Sequence, residues 1–93
     1  MAMLVVKNFC SSSFEECQVQ IQIIKDLESR YVGRVVFENL NSKENEGLIE
    51  KYRIRNYPTM IIECNGVEKE RFVGLTQELF LKRALDKVLS ECK

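Results

Sequence analysis

Two β-branched runs, Leu4 to Phe9 (LVVKNF) and Val35 to Leu40 (VVFENL), are separated by a stretch of helical period. In that stretch Cys17, Ile21, Ile24, Leu27 and Tyr31 recur at helical spacing, with Val19 and Ile23 beside the stripe. Two strands joined by such a helix must lie parallel, through a right-handed crossover. The helix has a start and a stop signal. Ser13 with Glu16 three residues on has the form of a capping box, and Gly33 takes the C-cap role.

The rest of the chain narrows the fold further. Ser42 is placed to cap a second helix through about Tyr52, with Leu48, Ile49 and Tyr52 as its buried face. Gly47 weakens that helix by up to ~1 kcal/mol relative to Ala. Pro58, the only proline, opens a third strand from Thr59 to Glu63, because proline is tolerated at a strand's first residue. Asn65-Gly66 signals a hairpin turn, since both central positions of a type I′ turn need positive φ. Glu68 to Val73 then returns antiparallel. Thr76 caps a last helix whose buried face is Leu81, Ala84, Leu85, Val88 and Leu89. The predicted order is β-α-β-α-β-β-α, an α/β fold with a mixed four-stranded sheet and helices on both faces.

Ninety-three residues suffice for one domain, residues 1–93, built on one core. Fourteen basic residues balance fourteen acidic ones, and no basic stripe stands out. Nucleic acid is therefore not an expected partner, since phosphate binding needs clustered Lys and Arg. The apolar stretches are far too short to span a membrane. The N-terminus lacks the pattern of a secretory signal, which, taking the chain as complete, reads as cytoplasmic. There is no histidine, so Ser-His and Cys-His nucleophile pairs are excluded. The four cysteines, Cys10, Cys17, Cys64 and Cys92, lack the short spacing of a zinc knuckle. No metal and no other cofactor is expected.

Four segments carry a family resemblance: Phe9 to Cys17 (FCSSSFEEC), Lys51 to Thr59 (KYRIRNYPT), Cys64-Asn65-Gly66 and Phe72-Val73-Gly74. In this order and spacing the chain, from about Met3 to Glu91, resembles the thioredoxin and glutaredoxin superfamily in its minimal form. The resemblance implies a thioredoxin-like fold and a cis Tyr57-Pro58 bond facing Phe14. The backbone of the residue before such a proline offers hydrogen bonds to an extended peptide. The family motif at the start of the first helix is Cys-x-x-Cys. Here the corresponding residues are Phe14-Glu15-Glu16-Cys17, so Cys17 takes the second cysteine's place and Phe14 the first. Larger thioredoxins keep a buried aspartate where this chain has Asn8, a side chain that cannot accept a proton at neutral pH.

Dithiol exchange needs a thiolate to attack and a second thiol to resolve the mixed disulfide. Phe14 has no sulfur, and Glu15 and Glu16 oppose a nearby thiolate by like charge. The first expectation is therefore a protein without the usual dithiol activity. It would bind an extended peptide or partner protein at an apolar patch of Phe14, Tyr57, Pro58 and Gly74, by adding a strand. The alternative is a thiol-disulfide oxidoreductase using Cys17 with Cys10 as its partner. Strand alternation sets Val6, Asn8 and Cys10 on one face, and if helix one covers that face the two thiols approach each other. Cys64 and Cys92 fall together at the opposite end of the molecule. Cytosolic structural disulfides are rare, so these two are expected to stay separate thiols. The charged residues around the second helix read as a solvated face, and the Glu68-Lys69-Glu70-Arg71 run discourages sheet-to-sheet pairing on an edge strand.

Overall fold

The computed structural model describes residues 3–92. Its elements are β1 (Leu4–Cys10), α1 (Glu15–Glu28), β2 (Val35–Asn41), α2 (Glu46–Tyr52), β3 (Thr59–Cys64), β4 (Val67–Val73) and α3 (Glu78–Glu91), with a short 3-10 turn at Ser29–Tyr31. The strands lie side by side in the order β2-β1-β3-β4. β1 runs parallel to β2, in register from Leu4 opposite Val35 to Cys10 opposite Asn41. β1 and β3 are antiparallel, as are β3 and β4. A bulge between Ile62 and Glu63 sets Ile62 opposite Glu70 but Glu63 opposite Glu68, leaving Lys69 as the extra residue on the edge strand. This is the expected α/β architecture, a mixed four-stranded sheet covered on both faces.

The sheet separates two apolar layers. On one face Leu4, Val6, Met60 and Ile62 pack against Ile24 and Leu27 of α1, Tyr31, and Leu81, Leu85 and Val88 of α3. On the other, Phe9 and Ile61 pack with Ile54 against Leu48, Ile49 and Tyr52 of α2. With both faces covered, every residue of β3 is buried. Each large apolar side chain so enclosed contributes roughly 1.5–3 kcal/mol relative to exposure.

Charge inside the sheet is paired. Glu63, 4% exposed, lies 3.4 Å from Lys7 Nζ and accepts a 2.5 Å hydrogen bond from the Tyr52 hydroxyl. Lys7 also bonds Glu38 at 2.8 Å. The hydrogen bond to Glu63, with burial, pushes the Tyr52 phenol up from its ordinary value. Buried Gln20 ties α1 to the loop before α3: its Nε2 donates to the Thr76 carbonyl at 3.1 Å, and its Oε1 accepts from the Thr76 N–H at 2.8 Å. The Tyr31 hydroxyl donates to Asp86 of α3 at 2.8 Å.

The helix ends differ from the sequence expectation. Ser13 caps nothing: the N-cap position of α1 is Phe14, without a side-chain cap. The chain first turns at Ser11, whose carbonyl accepts from the Phe14 N–H at 3.1 Å, and this delays the helix by one residue. Ser42 likewise extends the β1–β2 ladder through its N–H to the Cys10 carbonyl at 2.8 Å, leaving Asn45 to precede α2. Gln77, not Thr76, precedes α3, because Thr76 is held by Gln20. Gly33, at φ +82°, lies beyond the 3-10 turn rather than directly at the end of α1. Asn65 and Gly66 have the positive φ that the hairpin requires.

The expectation of separate Cys64 and Cys92 thiols is overturned. The two form a disulfide, with Cα atoms 5.8 Å apart. The last residue of β3 and the C-cap of α3 meet at the same edge of the first apolar layer, so their side chains converge.

Candidate functional site

The site is built where β1 gives way to α1. Phe14 has an extended backbone and is 42% exposed. Its ring packs against that of Tyr57, with centroids 5.8 Å apart and planes tilted by 48°. The Tyr57-Pro58 peptide is cis. The Pro58 carbonyl accepts from the Gly74 N–H at 2.8 Å, which holds the proline loop against the end of β4. Gly74 has φ +92°, a conformation that disfavours any side chain. Among the described residues, the backbone N–H and C=O of Tyr57 take no hydrogen-bond partner. An apolar aromatic pair thus borders one residue whose backbone donor and acceptor are both unpaired.

Val73 and Leu75, on either side of Gly74, are also exposed. Sequence reasoning used Phe72-Val73-Gly74 only as a mark of the fold and so did not assign Val73 or Leu75 to the surface. Their signal was present, as apolar residues flanking the glycine that ends an edge strand. A groove of about 870 Å³ leads from Tyr57 along α2, past Lys43, Glu46, Glu50, Arg53 and Arg55. Its charges are mixed, so it favours neither sign of ligand.

Glu15 and Glu16 occupy the first turn of α1, where carboxylates complement the positive helix end. Cys17 follows on the inner side and is 1% exposed. Its Sγ accepts from the Ser11 N–H at 3.3 Å. Cys10, also buried, directs its thiol toward the Cys17 carbonyl at 4.0 Å. Asn8 lies wholly buried beneath, donating from Nδ2 to Cys10 Sγ at 3.3 Å and to Asn39 Oδ1 at 3.0 Å. Its own Oδ1 has no partner among the described residues. Burial first, then the neighbouring Cys17 thiol, push Cys10 far above the ordinary thiol range; the Asn8 donor opposes this with a smaller effect. Cys10 is therefore a protonated thiol at neutral pH.

The structure gathers the singled-out residues into two groups. Phe14, Tyr57, Pro58 and Gly74 meet at the loop surface, with Pro58 itself buried. Cys10 and Cys17 line one cavity as free, buried thiols. No group of three or more metal-ligating side chains occurs among the described residues. Nor is any described helix long and apolar enough to cross a membrane.

Comparison with known proteins agrees with the fold. The chain is 31% identical over 74 residues to the chloroplastic M-type thioredoxin of Spinacia oleracea, covering 80% of this chain and 41% of that protein. It is 28% identical over 82 residues to a thioredoxin of Chlorobaculum thiosulfatiphilum, covering 88% of this chain and 76% of that one. It thus spans less than half the length of the spinach relative. Among solved structures, a malaria parasite thioredoxin-2, described as a component of the protein secretion machinery, superposes with a TM-score of 0.88 at 21% identity. That match covers 92% of this chain and 84% of the other. The germline-specific Drosophila thioredoxin Deadhead superposes at 0.85 with 23% identity, covering 92% and 81%. At these identities the two structures establish the shared fold. The thioredoxin family model matches residues 2–87, nearly the whole sequence, and the chain belongs to the thioredoxin family.

Proposed function

We propose that this thioredoxin-family protein binds an extended peptide or partner protein at Phe14, Tyr57, Pro58 and Gly74, and does so without the family's dithiol exchange. The observation that carries this reading is the Phe14 ring standing over the proline loop at the mouth of α1, where the resemblance puts the attacking cysteine. The unpaired Tyr57 backbone supports strand addition by a peptide, and the exposed Phe14, Val73 and Leu75 supply apolar contacts beside it. Buried, protonated Cys10 speaks against a ready nucleophile.

The test is reduction of a protein disulfide driven by dithiothreitol. Negligible turnover is expected for the wild type, and a gain for Phe14→Cys, which sets a thiol three residues before Cys17 at the helix start. Phe14→Ala should weaken peptide binding about 30-fold or more, as aromatic anchors of an interface do. Robust wild-type turnover lost in Cys17→Ser would overturn the reading and favour the alternative, an oxidoreductase using Cys17 with Cys10. That alternative draws its support from both thiols being free and lining one small cavity. A cytoplasmic setting is also part of the proposal. There the Cys64–Cys92 pair would face reducing thiols, so alkylation mapping of the protein in fresh cell extracts tests that setting.

A further inference from the structure

We propose that the outer edge of β2 pairs with the same edge of a second copy of this chain, antiparallel about a two-fold axis at Val36. Among the described residues β2 and β4 are the two edges of the sheet. β4 is guarded, by the Glu68-Lys69-Glu70-Arg71 run and the bulge at Lys69. β2 has no such protection. It runs in unbroken register beside β1, without proline or lysine, and its one charged residue is Glu38. Val36, at its centre in the register below, is 48% exposed. An unguarded edge strand of this kind is a template for pairing.

The inner ladder fixes which backbone groups face outward. The Ser42 N–H donates to the Cys10 carbonyl, so by alternation the even-numbered residues of β2 bond to β1. The N–H and C=O groups of Val35, Phe37 and Asn39 therefore point to the open edge, where among the described residues they take no partner. The next outward carbonyl, that of Asn41, is occupied by the Glu44 N–H and the Asn45 side chain, which ends the usable edge at Asn39. A groove of about 510 Å³ between Lys25 and Glu28 of α1 and Val35 and Phe37 leaves this edge accessible from the α1 side.

The side chains select a second copy as the occupant, and one register. With Val36 opposite Val36 of the second copy, Val35 lies opposite Phe37, and each such pair exchanges both of its backbone hydrogen bonds. Val36 then falls in a non-hydrogen-bonded pair, where side chains approach most closely. Arg34 comes opposite Glu38 on each side of the axis, so the charges are self-complementary. Glu38 takes Lys7 on Oε1 at 2.8 Å, and its Oε2 has no hydrogen-bond partner among the described residues. Arg34 is exposed and donates from Nη2 to the Arg30 carbonyl, which leaves other N–H groups of the guanidinium for a carboxylate. Moving the axis to Phe37 would set Val36 against Glu38, and moving it to Glu38 would set carboxylate against carboxylate.

The experiment is sedimentation velocity on the full chain with Cys64–Cys92 oxidised, from about 10 μM to about 1 mM, the range in which a small transient interface associates. The wild type should pass reversibly from monomer to dimer. Val36→Lys, checked for folding by circular dichroism, should stay monomeric. Arg34→Glu and Glu38→Arg should each weaken the dimer about tenfold or more, by setting like charges opposite each other. Mixing those two variants should restore association as a heterodimer, because every opposed pair is then Arg with Glu. Should a variant fail to fold, amide exchange in the wild type decides: the Val35 and Phe37 amides should slow as concentration rises. Phe14→Ala should leave the dimer intact, which separates this edge from the peptide-binding face. A wild type that is monomeric throughout, a dimer unmoved by folded Val36→Lys, folded charge variants that do not associate when mixed, or Val35 and Phe37 amides indifferent to concentration would overturn the assignment.

Discussion

Replacing Cys92 by serine removes the covalent tie between the end of α3 and the end of β3 while leaving the folded contacts almost unchanged. The bridge closes a loop between residues 28 apart in sequence. For a loop of that size the chain-entropy relation gives about 3.5 kcal/mol of stabilisation, through restriction of the unfolded chain. In a domain of this length each kcal/mol moves the melting midpoint by roughly 4–8 °C, so Cys92→Ser should melt about 15–25 °C below the oxidised wild type. Cys92 is only partly buried, so the serine hydroxyl retains access to water and the loss is mainly that of the cross-link. The assay is thermal unfolding followed by circular dichroism, with and without a phosphine reductant, after mass spectrometry has confirmed the bridge. Reductant should bring the wild type down to the variant and leave the variant unmoved. A confirmed oxidised wild type that melts within a few degrees of Cys92→Ser would refute the entropic reasoning.

Two further outcomes follow from the polar contacts. Gln20→Leu roughly keeps the volume but strips both hydrogen bonds from the Thr76 backbone, and should cost about 2–6 kcal/mol in urea unfolding, at 1–3 kcal/mol per orphaned group. The phenol of Tyr31 is pushed from 10.0 up to about 12, by burial first and by its hydrogen bond to Asp86 second. Between those two values the folded protein keeps a proton that the unfolded chain has lost. The stabilisation is therefore complete below pH 10 and lost as pH rises toward 12. Denaturant midpoints measured across that window should fall more steeply for the wild type than for Tyr31→Phe.

Much of the architecture was legible because it rests on local periodicity. The β-branched runs of β1 and β2, the apolar stripe of α1 between them and the Asn65-Gly66 turn each state their conformation within a few residues, and together they require the parallel crossover and the terminal hairpin. The surface group of the candidate site was legible through the family resemblance: Phe14 and Tyr57 do meet. Helix starts were the weak point. Ser13, Ser42 and Thr76 all have capping chemistry, yet each had a competing assignment from a neighbouring turn, strand or buried side chain. Gln20 shows the same limit on α1: it is fully buried while neighbouring Val19 is exposed, because its partner is the backbone of Thr76, 56 residues away.

The sequence by itself determined the order of elements, their inward faces and the absence of sulfur at position 14, since these depend on residue type and on spacing within a segment. Tertiary structure alone decided that Cys64 bonds Cys92, that Cys10 and Cys17 line one cavity, and that Lys7, Glu63 and Tyr52 share one buried network. Each of these joins side chains from different elements. Such distances are set by how helices seat on the sheet, and no local pattern encodes that seating.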